Sequence, residues 1–231
     1  DLFGILPGSG EYAPVPVVGA PSGLSLGGGF EVLLHCDKVV AHTNTVFGLV
    51  ETSVGVVPSG GGVKETLWRW YQATGDWEKA AWNTWMQVGY GQIGSSPDMS
   101  ARFQYFLPER DIEVINRDKL VVTATNTLKE MQAGYTPPLA PVFELPGRAV
   151  LTRMSDFMQK GVDDGMFFPH DKTVAMQVAT IVVNTDSDDS LQQSEQDLYD
   201  RERAAFLVLA KTKESHVRIS GLLDKGQAVR N

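Results

Sequence analysis

The chain has 231 residues, of which 42% are hydrophobic and 21% are charged, a composition typical of a globular protein. Its formal net charge of −8 argues against nucleic acid or an anionic membrane surface as the main partner, and no apolar run approaches the roughly 20 residues of a membrane span. The single cysteine, Cys36, has no partner for an internal disulfide, which fits a reducing compartment. Residues 1–4 lack the basic region of a signal peptide and the chain does not begin with Met, so we expect a processed start and a cytoplasmic location.

The first 75 residues alternate short apolar stretches with glycine-rich turns. The predicted elements, in chain order, are a strand at residues 15–20, a helix at 27–36, a strand at 38–41, loop and strand at 47–57, and a helix at 62–72. Repeated strand, glycine turn and helix are typical of α/β proteins.

From about residue 76 the pattern becomes helical. Helices are predicted to open at 76–78 and to cover residues 117–131, 148–160, 169–183, 192–211 and 213–225. Residues 139–147 are predicted to be a proline-bearing connector, and residues 184–190 form an acidic polar loop. The fold class is therefore α/β, an α/β segment followed by a helical region.

Two glutamates, Glu31 and Glu51, each follow glycines in apolar surroundings. Glycine lets a backbone N–H approach a ligand closely, and a buried carboxylate costs free energy unless it is paired, hydrogen-bonded or used. Two such carboxylates near one glycine-rich turn fit acid/base work beside an oxyanion site. Taken alone, the glycines also fit a packing turn, Glu31 fits the first turn of a helix, and Glu51 fits an exposed strand edge. Periodicity does not bring the two glutamates together.

Other motifs exclude several chemistries. The glycines at 60–62 lack the spacing of a phosphate-binding loop, although a helix start there can accept an anion or a carbonyl. His35, Cys36 and Asp37 are adjacent in sequence and face different directions on a helix, so no metal site is expected. No nucleophile elbow and no dinucleotide-binding fingerprint is present in the sequence.

A long ordered match then identifies a resemblance. The residues that carry it are Pro16-Val17-Val18-Gly19-Ala20-Pro21-Ser22-Gly23-Leu24-Ser25-Leu26-Gly27-Gly28-Gly29-Phe30-Glu31, Cys36-Asp37, Phe47-Gly48-Leu49-Val50-Glu51 and Gly55-Val56-Val57-Pro58. This pattern resembles the signature of the enoyl-CoA hydratase/isomerase (crotonase) family. The remainder is similar to the C-terminal part of bacterial multidomain proteins that join 3-hydroxyacyl-CoA dehydrogenase to a crotonase domain, through residues 134–138, 165–181, 200–206 and 226–231.

The resemblance implies a partial crotonase-like ββα spiral core followed by a C-terminal helical region. It divides the chain into a partial core at residues 1–75, a helical crotonase C-terminal region at 76–147 and a helical extension at 148–231. It implies a fatty acyl-CoA substrate, whose coenzyme A belongs to the substrate, with no separate cofactor and no metal. Gly28 would give an oxyanion-hole N–H, and Glu31 and Glu51 would hold and activate water. Ser59 and Gly60 would lie in the turn near that water.

The implied reaction is hydration of a 2-enoyl-CoA in fatty-acid β-oxidation. The alternatives are isomerisation of a 3-enoyl-CoA, and a non-catalytic acyl-CoA-binding or assembly module. Two departures from the family pattern stand out: residues 1–12 contain no A-x-x-A-G-A-D segment, and Ser59 stands where the family commonly has glycine. We therefore expect an activity impaired by truncation, and self-association or contact with other domains of the parent protein.

Overall fold

The computed structural model describes residues 12–231, so the predictions that fall on residues 1–11 lie outside the described part of the chain. The described residues form a mixed α/β structure with two compact units, each built from two separate segments. Of the described residues, unit 1 contains 12–49 and Gln92–Ala140. Unit 2 contains Val50–Gly91 and Pro141–Asn231. Within residues 12–231, no helix has both the length and the apolar character needed to cross a membrane.

The strands are short. In chain order they are β1 (Val18–Gly19), β2 (Leu24–Leu26), β3 (Lys38–His42), β4 (Val46–Gly48), β5 (Ile93–Gly94), β6 (Ile112–Val114), β7 (Val142–Leu145) and β8 (Leu191–Ser194). The α-helices are α1 (Gly28–Leu34), α2 (Gly62–Thr74), α3 (Trp77–Gly89), α4 (Pro97–Ala101), α5 (Leu120–Gln132), α6 (Arg148–Asp163), α7 (Pro169–Val182), α8 (Glu195–Leu209) and α9 (Lys213–Lys225). Short 3₁₀ helices cover Glu51–Val54 and Arg117–Lys119.

Unit 1 contains two small sheets. In the first, β3 lies between β1 and β6 and pairs in parallel with both, with Val18 opposite Lys38 and Val40 opposite Ile112. The three central residues of β3 are all buried, as expected for a parallel strand covered on both faces. In the second sheet, β4 pairs in parallel with β2 and antiparallel with β5. Helix α5 covers the first sheet, where Leu120 and Ala124 pack in one cluster with Val40.

Unit 2 is mainly helical. Its helices pack in the pairs α2 with α3, α3 with α7, α6 with α7, and α7 with α8. Trp85 lies fully inside this packing, and its indole N–H donates to the Ala175 carbonyl at 2.8 Å, which joins α3 to α7. The antiparallel pair β7 and β8 completes the unit, with Val142 opposite Ser194 and Leu145 opposite Leu191.

Unit 2 thus combines residues that the sequence assigns to the partial core with helices that it assigns to the C-terminal extension. The predicted division at residues 75 and 147 stays a prediction about regions of sequence. The units instead follow packing, which brings 50–91 together with 141–231.

Most predicted helices are confirmed, including the one at residues 27–36, which the structure has as α1. The predicted connector at 139–147 is wrong in its centre, because it contains β7. Phe143 and Leu145 are fully buried while Val142 is exposed, so the segment alternates as a half-buried strand does. The flanking prolines, Pro141 and Pro146, mark the ends of the strand rather than a structureless connector. The predicted helix at 192–211 likewise divides into the end of β8 and helix α8.

Candidate active site

The glycines that precede Glu31 form the start of α1 in unit 1. Gly27 is the N-cap residue, with φ 56°, a left-handed value that favours glycine, and its N–H donates to the Gly48 carbonyl at 2.9 Å. Gly28 is the first helical residue, and the first N–H groups of a helix have no partner within it. The structure therefore places Gly28 at the positive end of the α1 dipole.

Glu31 lies in the first turn of α1 and is buried, only 5% exposed. Its neighbour Phe30 is also buried and packs against Phe47 and Tyr105, with ring centroids 5.4 and 4.7 Å away. The backbone carbonyl oxygen of Glu31 is hydrogen-bonded to Nδ1 of the buried His35, 2.7 Å away. A carboxylate in such apolar surroundings is costly unless its interactions compensate.

Glu51 opens the 3₁₀ helix Glu51–Val54 in unit 2 and is half-buried. That turn ends at Gly55, which has the left-handed φ of 83°. The next residue of the turn, Thr52, donates its hydroxyl to the Val88 carbonyl of α3 at 2.8 Å. The Thr52 bond therefore anchors the start of this turn to α3.

The C-terminal helices also hold this turn. Ser215 of α9 donates its hydroxyl to the Gly55 carbonyl at 2.5 Å, and its oxygen lies 2.9 Å from Nε2 of His170 at the start of α7. Because the serine proton goes to Gly55, His170 Nε2 must donate to Ser215, so this pair is a structural clamp and not a nucleophile with its base. A Cβ added at Gly55 would lie 2.8 Å from the Ser215 hydroxyl, which leaves no room for a side chain.

The clamp makes a pH prediction. Burial first, and then the nearby Arg218, lower the pKa of His170, whereas Glu214 and Asp171 raise it by less. As the pH drops below about 6.5, the ordinary histidine value, the unfolded chain binds a proton at His170 that the folded chain does not bind. The free energy of unfolding therefore falls with pH in this range. For one proton the slope approaches about 1.4 kcal/mol per pH unit. Urea titrations of the wild type and His170→Gln at pH 5 to 7.5 measure the difference.

The matched control is His216→Gln, on the exposed face of α9. We expect His216→Gln to keep the wild-type slope and His170→Gln to flatten it. Equal slopes in all three proteins would contradict the assignment of this pH dependence to His170.

Ser59 and Gly60 lie in the turn that leads into α2, with Ser59 half-buried and Gly60 buried. Gly61 follows as the N-cap of α2, with a left-handed φ of 94°. The Gly61 and Lys64 N–H groups both donate to the carboxylate of Glu202, each at 2.7 Å. The sequence predicts that the start of α2 can accept an anion or a carbonyl. In the structure, the Glu202 carboxylate of the chain itself caps this helix start.

Sequence reasoning missed Glu202 and its neighbour Glu195. A signal was present, since the buried face of α8 repeats at spacings of three and four residues: Glu195, Leu198, Glu202, Ala205 and Leu209. Two glutamates in an otherwise apolar stripe indicate buried partners, because unpaired carboxylates are costly there. The sequence alone does not reveal that those partners lie in α2.

An apolar cavity of about 320 Å³ adjoins the Glu51 turn within unit 2. Aromatic and thioether side chains, including Trp85, Met86 and Phe157, line much of it, together with Thr52, Ser53 and the charged Asp171 and Arg230. The Trp85 and Phe157 rings meet edge to face at 5.8 Å. The apolar part of this lining can accommodate an aliphatic chain, and Asp171 and Arg230 add one acidic and one basic group.

The structure thus places Gly28 and Glu31 together on α1 of unit 1, and Glu51, Ser59 and Gly60 on two successive turns of unit 2. Their predicted roles in catalysis stay predictions.

Comparison with known proteins shows which family and fold the chain resembles. The sequence pattern of the family described as Enoyl-CoA hydratase/isomerase matches residues 11–75. A Bacillus subtilis (strain 168) protein named "Probable 3-hydroxyacyl-CoA dehydrogenase" is 29% identical over 222 residues, which are 96% of this chain and 28% of that protein. The mitochondrial methylglutaconyl-CoA hydratase of Homo sapiens is 49% identical over 51 residues, 22% of this chain and 15% of that protein. The matched residues of this chain thus span less than a third of either relative.

Solved structures give the same fold. A carnitinyl-CoA hydratase from Mycobacterium avium matches with a TM-score of 0.53 and 20% identity, over 93% of this chain and 62% of that one. An enoyl-CoA hydratase from Mycobacterium avium subsp. paratuberculosis K-10 matches with a TM-score of 0.56 and 18% identity, over 99% of this chain and 70% of that one. The resemblance to the enoyl-CoA hydratase/isomerase family is confirmed over residues 11–75, and the predicted fold class is confirmed over most of the chain.

Proposed function

We propose that this chain, whose residues 11–75 match the enoyl-CoA hydratase/isomerase family, is the hydratase part of an enzyme that adds water to a 2-enoyl-CoA. The observation that carries the proposal is the family match itself, since it contains both Glu31 and Glu51 and the glycine start of α1. The parent protein, by its likeness to the Bacillus subtilis relative, is proposed to include 3-hydroxyacyl-CoA dehydrogenase activity and to act in fatty-acid oxidation in the cytoplasm.

In the proposed reaction, the thioester oxygen accepts a hydrogen bond from the Gly28 N–H at the start of α1, which favours the enolate form. Glu31 and Glu51 hold a water molecule. One carboxylate removes a proton from this water as its oxygen bonds to the β-carbon, and the other carboxyl group gives a proton to the α-carbon. The product is a 3-hydroxyacyl-CoA, and no cofactor other than the coenzyme A of the substrate is needed.

Ser59 and Gly60 are proposed to position the water-bearing turn. The apolar cavity beside Thr52 supports a fatty acyl substrate, because its aromatic lining suits a hydrocarbon chain. Self-association, or contact with other parts of the parent protein, is proposed to cover exposed apolar side chains such as Leu222 and Leu223 of α9.

Isomerisation of a 3-enoyl-CoA is the second candidate, because the matching family includes isomerases and that reaction needs chiefly one base. An acyl-CoA-binding module without catalysis is the third. The chain is incubated separately with 2-enoyl-CoA and with 3-enoyl-CoA, and mass spectrometry together with the absorbance of the conjugated thioester separates the three candidates. Hydration adds the mass of one water, isomerisation of 3-enoyl-CoA leaves the mass unchanged but creates a conjugated thioester, and a binding module changes neither substrate.

The cavity predicts a chain-length effect. Gly89, the last residue of α3, lines the cavity, and a Cβ added to it meets no atom within 4 Å. Because the Cβ position is open, Gly89→Leu is expected to occupy part of the cavity and to raise KM for long-chain 2-enoyl-CoA by about fourfold per excluded methylene. Steady-state hydration of four-carbon and longer substrates measures the effect.

Gly89→Ala is the matched control, since it removes the glycine with little added volume. We expect the four-carbon substrate to show no change with either variant. An equal rise in KM at every chain length would show that the cavity does not hold the acyl chain.

A further inference from the structure

We propose that Glu202, in the second segment of unit 2, is a positioning residue that fixes the turn of residues 59–61 in the first segment. The consequence for catalysis rests on the proposed function, whereas the structural part does not. Glu202 bonds to the backbone N–H groups of Gly61 and Lys64, and it acts through the backbone that carries Ser59 and Gly60.

The geometry of the carboxylate carries the proposal. Its two oxygens divide between two backbone donors, with Oε2 accepting from Gly61 and Oε1 from Lys64, both at 2.7 Å. These donors lie on either side of the first residues of α2, so one rigid group spans the whole start of the helix. Hydrogen bonds to an ionised acceptor are roughly twice as strong as neutral ones, and the helix dipole adds to them.

Burial makes this cap hard to replace. Glu202 is fully buried, so water does not reach the site to take its place when the carboxylate is lost. Gly61 stands in a left-handed conformation, which the cap holds at the join of the turn and the helix. Without it, the segment that carries Gly60 has fewer constraints on its path into α2.

Helix α8, which carries Glu202, also contacts the side chain of Lys64. Its Nζ forms an ion pair with Glu195 and lies 4.9 Å from the centre of the Tyr199 ring. Glu195, Tyr199 and Glu202 are spaced four and three residues apart and therefore share one face of α8. This face contacts both the backbone of the first turn of α2 and the Lys64 side chain. This shared face indicates that α8 is part of the support of the candidate site.

The test uses Glu202→Gln, whose amide keeps the size of the side chain but has one acceptor oxygen and no charge. We expect hydrogen exchange at the Gly61 and Lys64 amides to accelerate about tenfold or more, while amides of α6 change less than twofold. In the hydration assay, kcat is expected to fall by about tenfold with KM within twofold of wild type. Asp200→Asn, on the exposed side of α8, is the matched control and should change none of these values.

Glu202→Asp is the second variant if Glu202→Gln does not fold, because it keeps the charge but cannot reach both donors. It too is expected to accelerate exchange at the two amides selectively. Unchanged exchange at both amides, or equal acceleration across all unit 2 helices, would overturn the proposal. A wild-type chain that folds but does not hydrate 2-enoyl-CoA would overturn the proposed function, and the exchange data would still decide the role of Glu202.

Discussion

Replacing either Glu31 or Glu51 by glutamine is expected to lower kcat for hydration of 2-enoyl-CoA by about 10²–10⁴-fold, the usual contribution of a general acid or base. Glutamine preserves the shape of each side chain but neither accepts nor gives a proton at neutral pH. KM should change much less, because the substrate contacts remain. The rates are measured by the loss of the conjugated thioester absorbance at several substrate concentrations.

Matched controls are available in each unit, because Glu113 of β6 and Glu214 of α9 are exposed glutamates. Their glutamine variants should keep wild-type rates. If Glu31→Gln and Glu51→Gln also keep them while the wild type hydrates its substrate, neither residue is a catalytic carboxylate. A loss with Glu51→Gln alone, in an isomerase assay, would instead favour the reaction that needs one base.

Replacing Lys64 by methionine is expected to lower the free energy of unfolding by about 3–5 kcal/mol, the usual effect of breaking a buried ion pair. Lys64 is fully buried, and its ammonium group contacts Glu65 at 2.6 Å and also pairs with Glu195. Methionine fills similar space but leaves both carboxylates without this partner. Urea denaturation at constant pH measures the change, provided that the transition stays two-state.

Lys79→Met is the control, since Lys79 is 71% exposed and its pairing with Asp76 lies at the surface. We expect little change there. In Lys64→Met with Glu195→Gln, part of the loss should be recovered, because the second change removes one of the stranded charges. Strictly additive losses would show that the pair with Glu195 is not coupled in the folded protein.

The local sequence was sufficient to locate α1 and α2, but residues 47–57, predicted as loop and strand, contain the 3₁₀ helix that carries Glu51. Glycines mark the start of α1 and the start of α2, and the conformational freedom of glycine indicated those two boundaries. Strand β7 was obscured by its flanking prolines, and its two adjacent apolar residues, Val142 and Phe143, do not show in sequence the alternation of exposure that the structure has. In that segment, turn-forming residues outweighed a short apolar stretch.

The support of the site lay beyond local reasoning. The bonds from Glu202 to the start of α2 join residues 138 and 141 positions apart, and the bond from Ser215 to Gly55 spans 160. Propensity and periodicity act over a turn or two, so they identify which face of α8 is buried but not what covers it. The presence of Glu195 and Glu202 on that buried face indicated that they have buried partners, but the pattern alone did not identify those partners.

The discontinuous build of unit 2 has a consequence for synthesis on the ribosome. Helices α2 and α3 emerge early, yet α8, which caps α2, follows only after 49 residues of unit 1 and much of the C-terminal segment. At about 5–20 residues per second, the 138 residues from Lys64 to Glu202 take roughly 7–28 s to translate. During that interval Lys64, Leu67 and Trp85, all buried in the finished protein, have no completed core to enter. The nascent chain is therefore most exposed to aggregation, and most dependent on chaperones, before its last helices appear.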